Sequence, residues 1–181
     1  MNEIPSPIPN TLKERLVRDH IAERYPHAHS KEFRPRHIEI MQCLIDGAVG
    51  CEAIAESLGL TEKTIMVYRE HTLNVLRNRG EEHVNMKRAI VVAIEEGRLD
   101  TTHVPSLEEH RLRKREVDVL GLLMQGYSGP EIAKTLWIVP KTVDSHVSNM
   151  KTRLGIKNQY QLVGMAAVWL QKQQESGKTK I

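Results

Sequence analysis

The sequence contains little of what stabilises β-sheets, disulfide frameworks or membrane spans. Aromatic residues make up only 4% of its 181 residues, whereas helix-forming residues such as Leu, Ala, Glu and Lys are frequent. Cys43 and Cys51 are too few for a disulfide framework, and Cys43, among apolar neighbours, is expected to be a buried free thiol. No apolar run approaches the roughly 18 residues of a membrane span, and the N-terminus lacks the pattern of a signal peptide. These absences predict an all-α, cytoplasmic protein without membrane contact.

Charge is distributed unevenly along the chain. The formal net charge is +3, but residues 111–181 contain twelve Lys/Arg and five Asp/Glu, whereas residues 1–110 contain fourteen and eighteen. A basic half beside an acidic one indicates a polyanionic partner, although a solvated basic surface gives the same count. The charge distribution therefore favours a polyanionic partner for residues 111–181.

The sequence contains an internal repeat. The segment Arg36–Gly47 aligns with Arg115–Gly126, with Arg and Gly at the ends, an acid at the fourth position and apolar residues at matching positions. The insertions and deletions fall in turns, which indicates two consecutive copies of one fold. Further aligned pairs are Ile54–Leu58 with Ile132–Leu136, Lys63–Ile65 with Lys141–Val143, and Asn85–Ala93 with Asn158–Ala166.

Hydrophobic periodicity predicts four helices in each copy. Thr61 is a good N-cap for the third helix of the first copy, whereas its counterpart Val139 has no side-chain acceptor. Gly126 suits a helix end and Pro140 a helix start. The predicted helices cover 35–46, 52–58, 62–78 and 86–97 in the first copy, and a segment ending near residue 126, 130–137, 140–154 and 159–172 in the second.

The predicted fold class is all-α, with two tandem tetra-helical helix-turn-helix domains and a short N-terminal helix, expected around Leu12–Tyr25. A mostly polar stretch around residues 100–109 is expected to be a linker. The predicted organisation is an N-terminal extension (1–32), a divergent first domain (33–99), a linker (100–111), a second domain (112–172) and a flexible tail (173–181).

The second copy contains five motifs in the same order as a known family of DNA-binding domains: Leu112–Leu120, Leu123–Ser128, Glu131–Ala133 with Leu136, Lys141–His146 and Lys151–Ile156. On these motifs, the second copy resembles the LuxR-type (GerE-like) helix-turn-helix domain of bacterial transcription regulators. The first copy is a weaker match, with His37 where the family usually has Glu and Tyr68 where it usually has His.

The resemblance implies that the long third helix enters the DNA major groove while the second helix packs across it. It implies base-edge contacts by Asp144, Ser145 and Ser148 of the second copy. The family usually has Lys where Asp144 stands, so either the target differs or binding is weaker. Phosphate and sugar contacts are implied for Lys141, Thr142, His146, Asn149 and Lys151, with Arg113 at the rim.

The corresponding face of the first copy is expected to bind either DNA or protein. Its apolar residues suit thymine methyl groups. Packing on protein is favoured, because a surface without basic excess neutralises few phosphates. The residues of this face are Lys63, Thr64, Met66, Val67, Arg69 and Glu70.

The expected function is sequence-specific binding of double-stranded DNA that regulates transcription, in a bacterial or mobile-element regulator. No catalytic motif is present, so no enzymatic activity, cofactor or small-molecule ligand is expected. His27 and His29 have no further ligand at metal-binding spacing, so no metal is expected. Residues 1–32 are too short for a sensory domain, which favours control by abundance or by a partner protein.

Several alternatives stay open. In an adaptor, the first copy binds RNA polymerase or another regulator and only the second copy touches DNA; an antagonist keeps the fold and loses DNA affinity. The helices at 86–97 and 159–172 pair either within one chain, as a pseudo-dimer, or between chains. A homodimer is favoured because twofold symmetry matches palindromic sites. For Trp137 and Trp169, a packing role is favoured over that of a stacking platform.

Overall fold

The structure, a computed structural model, describes residues 30–105, 107 and 112–175. These residues form eight helices and no strand, which confirms the predicted all-α fold for this part of the chain. None of these helices is long and apolar enough to cross a membrane. The helix predicted around residues 12–25, the pair His27 and His29, and the tail from residue 176 lie outside the described residues.

The helices form two groups of four. The N-terminal group contains α1 (Pro35–Ile45), α2 (Gly50–Leu58), α3 (Glu62–Arg79) and α4 (Met86–Glu95). The C-terminal group contains α5 (Lys114–Met124), α6 (Gly129–Leu136), α7 (Pro140–Leu154) and α8 (Gln159–Glu175).

The helix bounds follow local signals and agree with the predicted bounds to within one helical turn. Thr61 Oγ1 accepts a hydrogen bond from Thr64 N (3.2 Å) at the start of α3, as expected of an N-cap. Gly80 and Gly155 end α3 and α7 in the left-handed conformation that glycine adopts without steric cost. Val139 supplies no side-chain cap to α7, as predicted.

Within each group, the short second helix and the long third helix pack across each other, and the first helix packs on the third. Ile54 of α2 and Ile65 of α3 are almost completely buried. Ile132 of α6 and Val143 of α7 are buried in the same way in the C-terminal group. Burial of these apolar side chains fixes the angle between the two helices and leaves the opposite faces of α3 and α7 in solvent.

The two groups are joined mainly by α4 and α8, which make the most extensive helix–helix contact in the structure. Ile90, Ile94, Leu162 and Met165 contribute to the single buried core that the two groups share. Further contacts are reciprocal, because α8 packs on α1 of the other group and α4 packs on α5. Gly164 permits the close approach of α8, since a Cβ atom there would lie 3.2 Å from Ile45 Cγ2.

Two asparagines at equivalent positions also make reciprocal contacts between the groups. Asn85 precedes α4 and Asn158 precedes α8. Asn158 Nδ2 donates to the carbonyl oxygens of Leu44 (3.0 Å) and Ala48 (2.9 Å), and Asn85 Nδ2 donates to that of Gly126. Each side chain satisfies carbonyls at the end of the first helix of the other group. The last helices thus pair within one chain, as in the pseudo-dimer alternative, and a homodimer would need a different surface.

Described residues of the segment between the groups contact α1 and the residue that follows it. Asp100 N donates to Gln42 Oε1 (2.9 Å) and His103 Nε2 lies 2.7 Å from Asp46 Oδ1. Leu107 is only 4% exposed. The prediction of a polar linker did not include the burial of Leu107, because Leu107 is an isolated apolar residue without helical periodicity.

Candidate nucleic-acid interface

Helix α7 buries one face and exposes the other. Val143 and Met150 are buried, whereas Asp144, Ser145 and Ser148 are exposed on the opposite face, as predicted. The other predicted residues of α7 lie around this face; Lys141 and Asn149 are exposed, and Thr142, His146 and Lys151 are half-exposed.

Ser145 is already hydrogen-bonded within the helix. Its Oγ donates to the carbonyl oxygen of Lys141, one turn earlier, at 2.9 Å. With its proton used in this way, Ser145 presents acceptor lone pairs to solvent, as the Asp144 carboxylate beside it does. This part of the face therefore suits partners that offer hydrogen-bond donors.

Helix α7 begins with an uncapped N-terminus. Neither Val139 nor Pro140 offers a side-chain acceptor, and Lys141 is exposed in the first turn. The amide groups of a first turn carry partial positive charge, and phosphate is an anion that such an end accommodates. The two helices differ in how the third amide is satisfied, because Thr64 N of α3 donates to the Thr61 side chain (3.2 Å), whereas Thr142 N of α7 donates to the backbone carbonyl oxygen of Val139 (2.9 Å).

Arg113, the remaining predicted contact residue, is exposed and N-caps α5. It is close in sequence to Glu116, which pairs with Arg153 near the C-terminal end of α7. Lys141 lies at the other end of α7, about 18 Å from Arg153 along the helix axis at about 1.5 Å per residue. The predicted residues of α7 therefore lie along one helix, and Arg113 lies near the C-terminal end of that helix.

The Glu116–Arg153 ion pair clamps α7 to α5. Arg153 donates to both carboxylate oxygens of Glu116, at 2.6 and 3.2 Å, and the backbone N of Arg113 donates at 2.8 Å. The hydrogen bond from Arg153 is the main cause that lowers the pKa of Glu116, against the opposing effect of burial. The pair fixes the orientation of the α7 face. Sequence analysis missed Arg153 because the partners are 37 positions apart and share no local pattern.

The corresponding face of α3 has different chemistry. Met66 and Val67 are 62% and 43% exposed, so the described part of the chain leaves them uncovered. Arg69 Nη1 donates to Cys51 Sγ (3.4 Å), and Glu70 pairs with Arg77 (2.7 Å).

Lys63, by contrast, is exposed, while Thr64 Oγ1 lies 2.8 Å from Thr61 Oγ1. Residues 50–79 contain four basic and four acidic side chains, whereas residues 129–154 contain four and two. The favoured prediction, that the first-copy face packs on protein, would thus require a partner molecule.

His37 occupies the position in α1 that Glu116 occupies in α5. Its Nδ1 accepts a hydrogen bond from Arg34 N (3.2 Å), and the rings of Tyr68 and His71 lie edge-on to it at 6.2 and 6.5 Å. Burial above all, together with the nearby His71 and Arg34, lowers the pKa of His37 to about 4. Val75 stands at the position of Arg153, so the N-terminal group has the uncharged His37 ring where the C-terminal group has an ion pair.

Trp137 is 93% exposed, so the prediction that it is a packing residue was wrong. It lies in the turn between α6 and α7 at φ 55° and ψ 45°, the one non-glycine residue with positive φ among those described. Trp169, in contrast, packs against the core. Cys43 and Cys51 are free, but Cys43 is half-buried rather than buried. Among the described residues, no three His, Cys, Asp or Glu side chains are grouped as metal ligands.

A short helix, a turn and a long helix with an exposed polar face define the C-terminal group as a helix-turn-helix. Residues 110–166 match the family described as bacterial regulatory proteins, luxR family, and form a LuxR-type helix-turn-helix domain. Except for residues 110 and 111, the match lies within the predicted second domain, residues 112–172. The assignment of the first copy to the same family stays a prediction.

Curated relatives include the oxygen regulatory protein NreC of Staphylococcus aureus strains RF122 / ET3-1 and MRSA252, each 34% identical over 91 residues. The same protein from strain JH9 is 33% identical over 91 residues. These regions cover 49% of this chain and 42% of each relative, so the chain matches less than half the length of these relatives. No solved structure is significantly similar to the chain.

Proposed function

We propose that this protein binds duplex DNA in a sequence-specific manner through its C-terminal group and thereby regulates transcription in the cytoplasm. The observation that carries the proposal is the exposed polar face of α7 in a domain that matches the LuxR family. In a helix-turn-helix, this face of the third helix lies in the major groove.

Asp144, Ser145 and Ser148 are the residues that we assign to base recognition. They lie on one side of α7, and the first two present acceptors. Acceptors pair with the amino groups of cytosine and adenine in the major groove. Lys141 and Lys151, at either end of the face, neutralise phosphates; Thr142, His146, Asn149 and Arg113 add further backbone contacts.

We also propose that the N-terminal group, within residues 33–99, is a divergent LuxR-type unit, joined by residues 100–111 to the second domain at 112–172. The contact between α4 and α8 then makes one chain a pseudo-dimer. The chain is expected to bind DNA without pairing through these helices to a second copy. A homodimer, which twofold symmetry favours, would form through another surface. Control by abundance or by a partner protein is the regulatory prediction for this sequence.

A second candidate function is that of an adaptor, and the face of α3 favours it. Met66 and Val67 are exposed, while Arg69 and Glu70 are engaged within the group. Such a face suits an apolar surface of RNA polymerase or of another regulator better than it suits phosphates. Changing Met66 and Val67 together to Ser tests this candidate, which predicts lost regulation with DNA affinity intact.

The proposal is tested by selecting bound sites from a randomised duplex library and measuring affinity for the recovered site over a range of salt concentrations. We expect an enriched motif and an affinity that falls steeply as salt rises. The number and spacing of half-sites reports how many helix-turn-helix units bind. No enrichment above background would contradict the proposal and would favour the antagonist, which has lost DNA affinity.

A further inference from the structure

The side chain of Trp137 is exposed in a backbone conformation that disfavours it. Large residues rarely occupy the left-handed region, because the Cβ atom crowds the backbone. An exposed indole also keeps a large apolar surface in contact with water. Trp137 combines both costs, with φ 55° and 93% exposure.

The other half of the molecule shows that the fold does not require this side chain. Gly59 occupies the equivalent position between α2 and α3, at φ 63° and ψ 36°, close to the φ 55° and ψ 45° of Trp137. The same turn therefore forms with no side chain at all. Within the described part of the chain, the indole therefore neither fills the core nor is needed to form the turn.

We propose that Trp137 contacts the same duplex as α7 and packs against deoxyribose or a base edge beside the α7 footprint. This inference rests on the proposed function. Exposed lysines flank Trp137 in the sequence, Lys134 in the last turn of α6 and Lys141 in the first turn of α7, and Glu131 is an acid that borders the same surface hollow as Trp137 and Lys134. Cations beside an aromatic ring match the phosphates and sugars of a nucleic-acid backbone.

The size of the exposed apolar surface argues against a separate protein-docking site. Apart from Trp137, Val139 is the one large hydrophobic residue exposed in the described part of the C-terminal group. An indole offers about 250 Å² at most, whereas a stable protein interface takes about 800 Å² from each partner. The ring is therefore expected to be one part of a larger contact surface. The surface next to it is the exposed N-terminal part of α7.

The expected contribution of Trp137 is mainly non-electrostatic. The ring adds apolar contact, and its Nε1–H is a single neutral donor. It releases no counterion, so it should raise affinity without changing the dependence on salt. Lys141 is the opposite case, because loss of one phosphate contact lowers the salt slope by about 1.

Trp137→Gly tests the inference, since Gly59 shows that this turn accepts glycine. We expect unchanged or higher thermal stability and about tenfold weaker binding to a fluorescein-labelled duplex recovered from the library, at an unchanged salt slope. Val49→Ala is the matched control, because Val49 is an exposed apolar residue (61%) that N-caps α2 in the other group. We expect this control to bind like the unaltered chain.

Fluorescence gives a second readout. In a Trp169→Phe variant, Trp137 is the one remaining tryptophan, and its emission should change when the duplex is added. If Trp137→Gly binds as tightly as the unaltered chain, or if the emission of Trp137 stays constant, this inference is overturned alone. If the unaltered chain binds no duplex, the proposed function fails with it. Loss of a protein partner at unchanged DNA affinity would also overturn the inference.

Discussion

The long helices α3 and α7 occupy equivalent places in their groups and present different chemistry to solvent. Their inward residues are alike, as Ile65 and Val143 show, but their outward residues are Met66 and Val67 in one helix and Asp144 and Ser145 in the other. The inward residues specify the fold and the outward residues specify the partner, which is why one fold carries two surfaces.

The buried junction between the first and third helices differs as well. In the C-terminal group it contains the ion pair Glu116–Arg153, and in the N-terminal group it contains the neutral His37, with Val75 at the position of Arg153. The ion pair and the neutral histidine are expected to respond differently to mutation and to pH, so each junction can be disrupted separately.

Arg153→Met breaks the junction of the C-terminal group. It leaves the carboxylate of Glu116, whose side chain is 2% exposed, without its cation. We expect the free energy of unfolding to fall by about 3 kcal/mol, the lower end of the range for a buried pair, because the Arg153 side chain is 35% exposed and water can take part of its place. Urea denaturation measures the change. Arg115→Met is the matched control, because its 3.5 Å pair with Asp118 is exposed and should cost about 0.5 kcal/mol or less. Equal effects would show that burial does not set the strength of this pair.

Acid should weaken the junction of the N-terminal group. The pKa of His37 is about 4 in the folded state, against 6.5 for an unperturbed histidine. Below pH 6.5 the unfolded chain therefore binds a proton that the folded chain does not, and stability falls until about pH 4. The expected loss is about 2–3 kcal/mol. Denaturation at several pH values measures it, and His37→Gln should remove this part of the dependence. An identical pH dependence in the variant would contradict the assignment.

The interface between the groups offers a third comparison, at Gly126 and Gly47. A Cβ atom at Gly126 would lie 2.8 Å from His83 Cβ and 3.1 Å from the His83 carbonyl oxygen, whereas one at Gly47 would meet the movable end of Gln161. Both glycines have positive φ. Gly126→Ala should therefore cost about 2 kcal/mol and Gly47→Ala about 1 kcal/mol. Equal melting temperatures would show that the backbone at residue 83 yields easily.

Sequence periodicity predicted the eight described helices well, because burial of an apolar stripe and local caps such as Thr61 both act over short distances. It also placed Asp144, Ser145 and Ser148 on an exposed face. It did not predict the Glu116–Arg153 pair or the burial of Leu107, since both depend on which segments meet in three dimensions. Trp137 was misjudged because an aromatic residue is usually buried, and the backbone conformation that exposes it leaves no mark in the pattern.

The most direct test of the central claim compares Lys141→Ala with Lys63→Ala. These two lysines occupy equivalent exposed positions at the starts of α7 and α3. Affinity for the recovered duplex is measured for both variants over a range of salt concentrations. If α7 and not α3 binds DNA, Lys141→Ala weakens binding by about 1 kcal/mol and lowers the salt slope by about 1. Lys63→Ala then changes neither the affinity nor the salt slope. Equal losses in the two variants would contradict the account, because both helices would then contact phosphates.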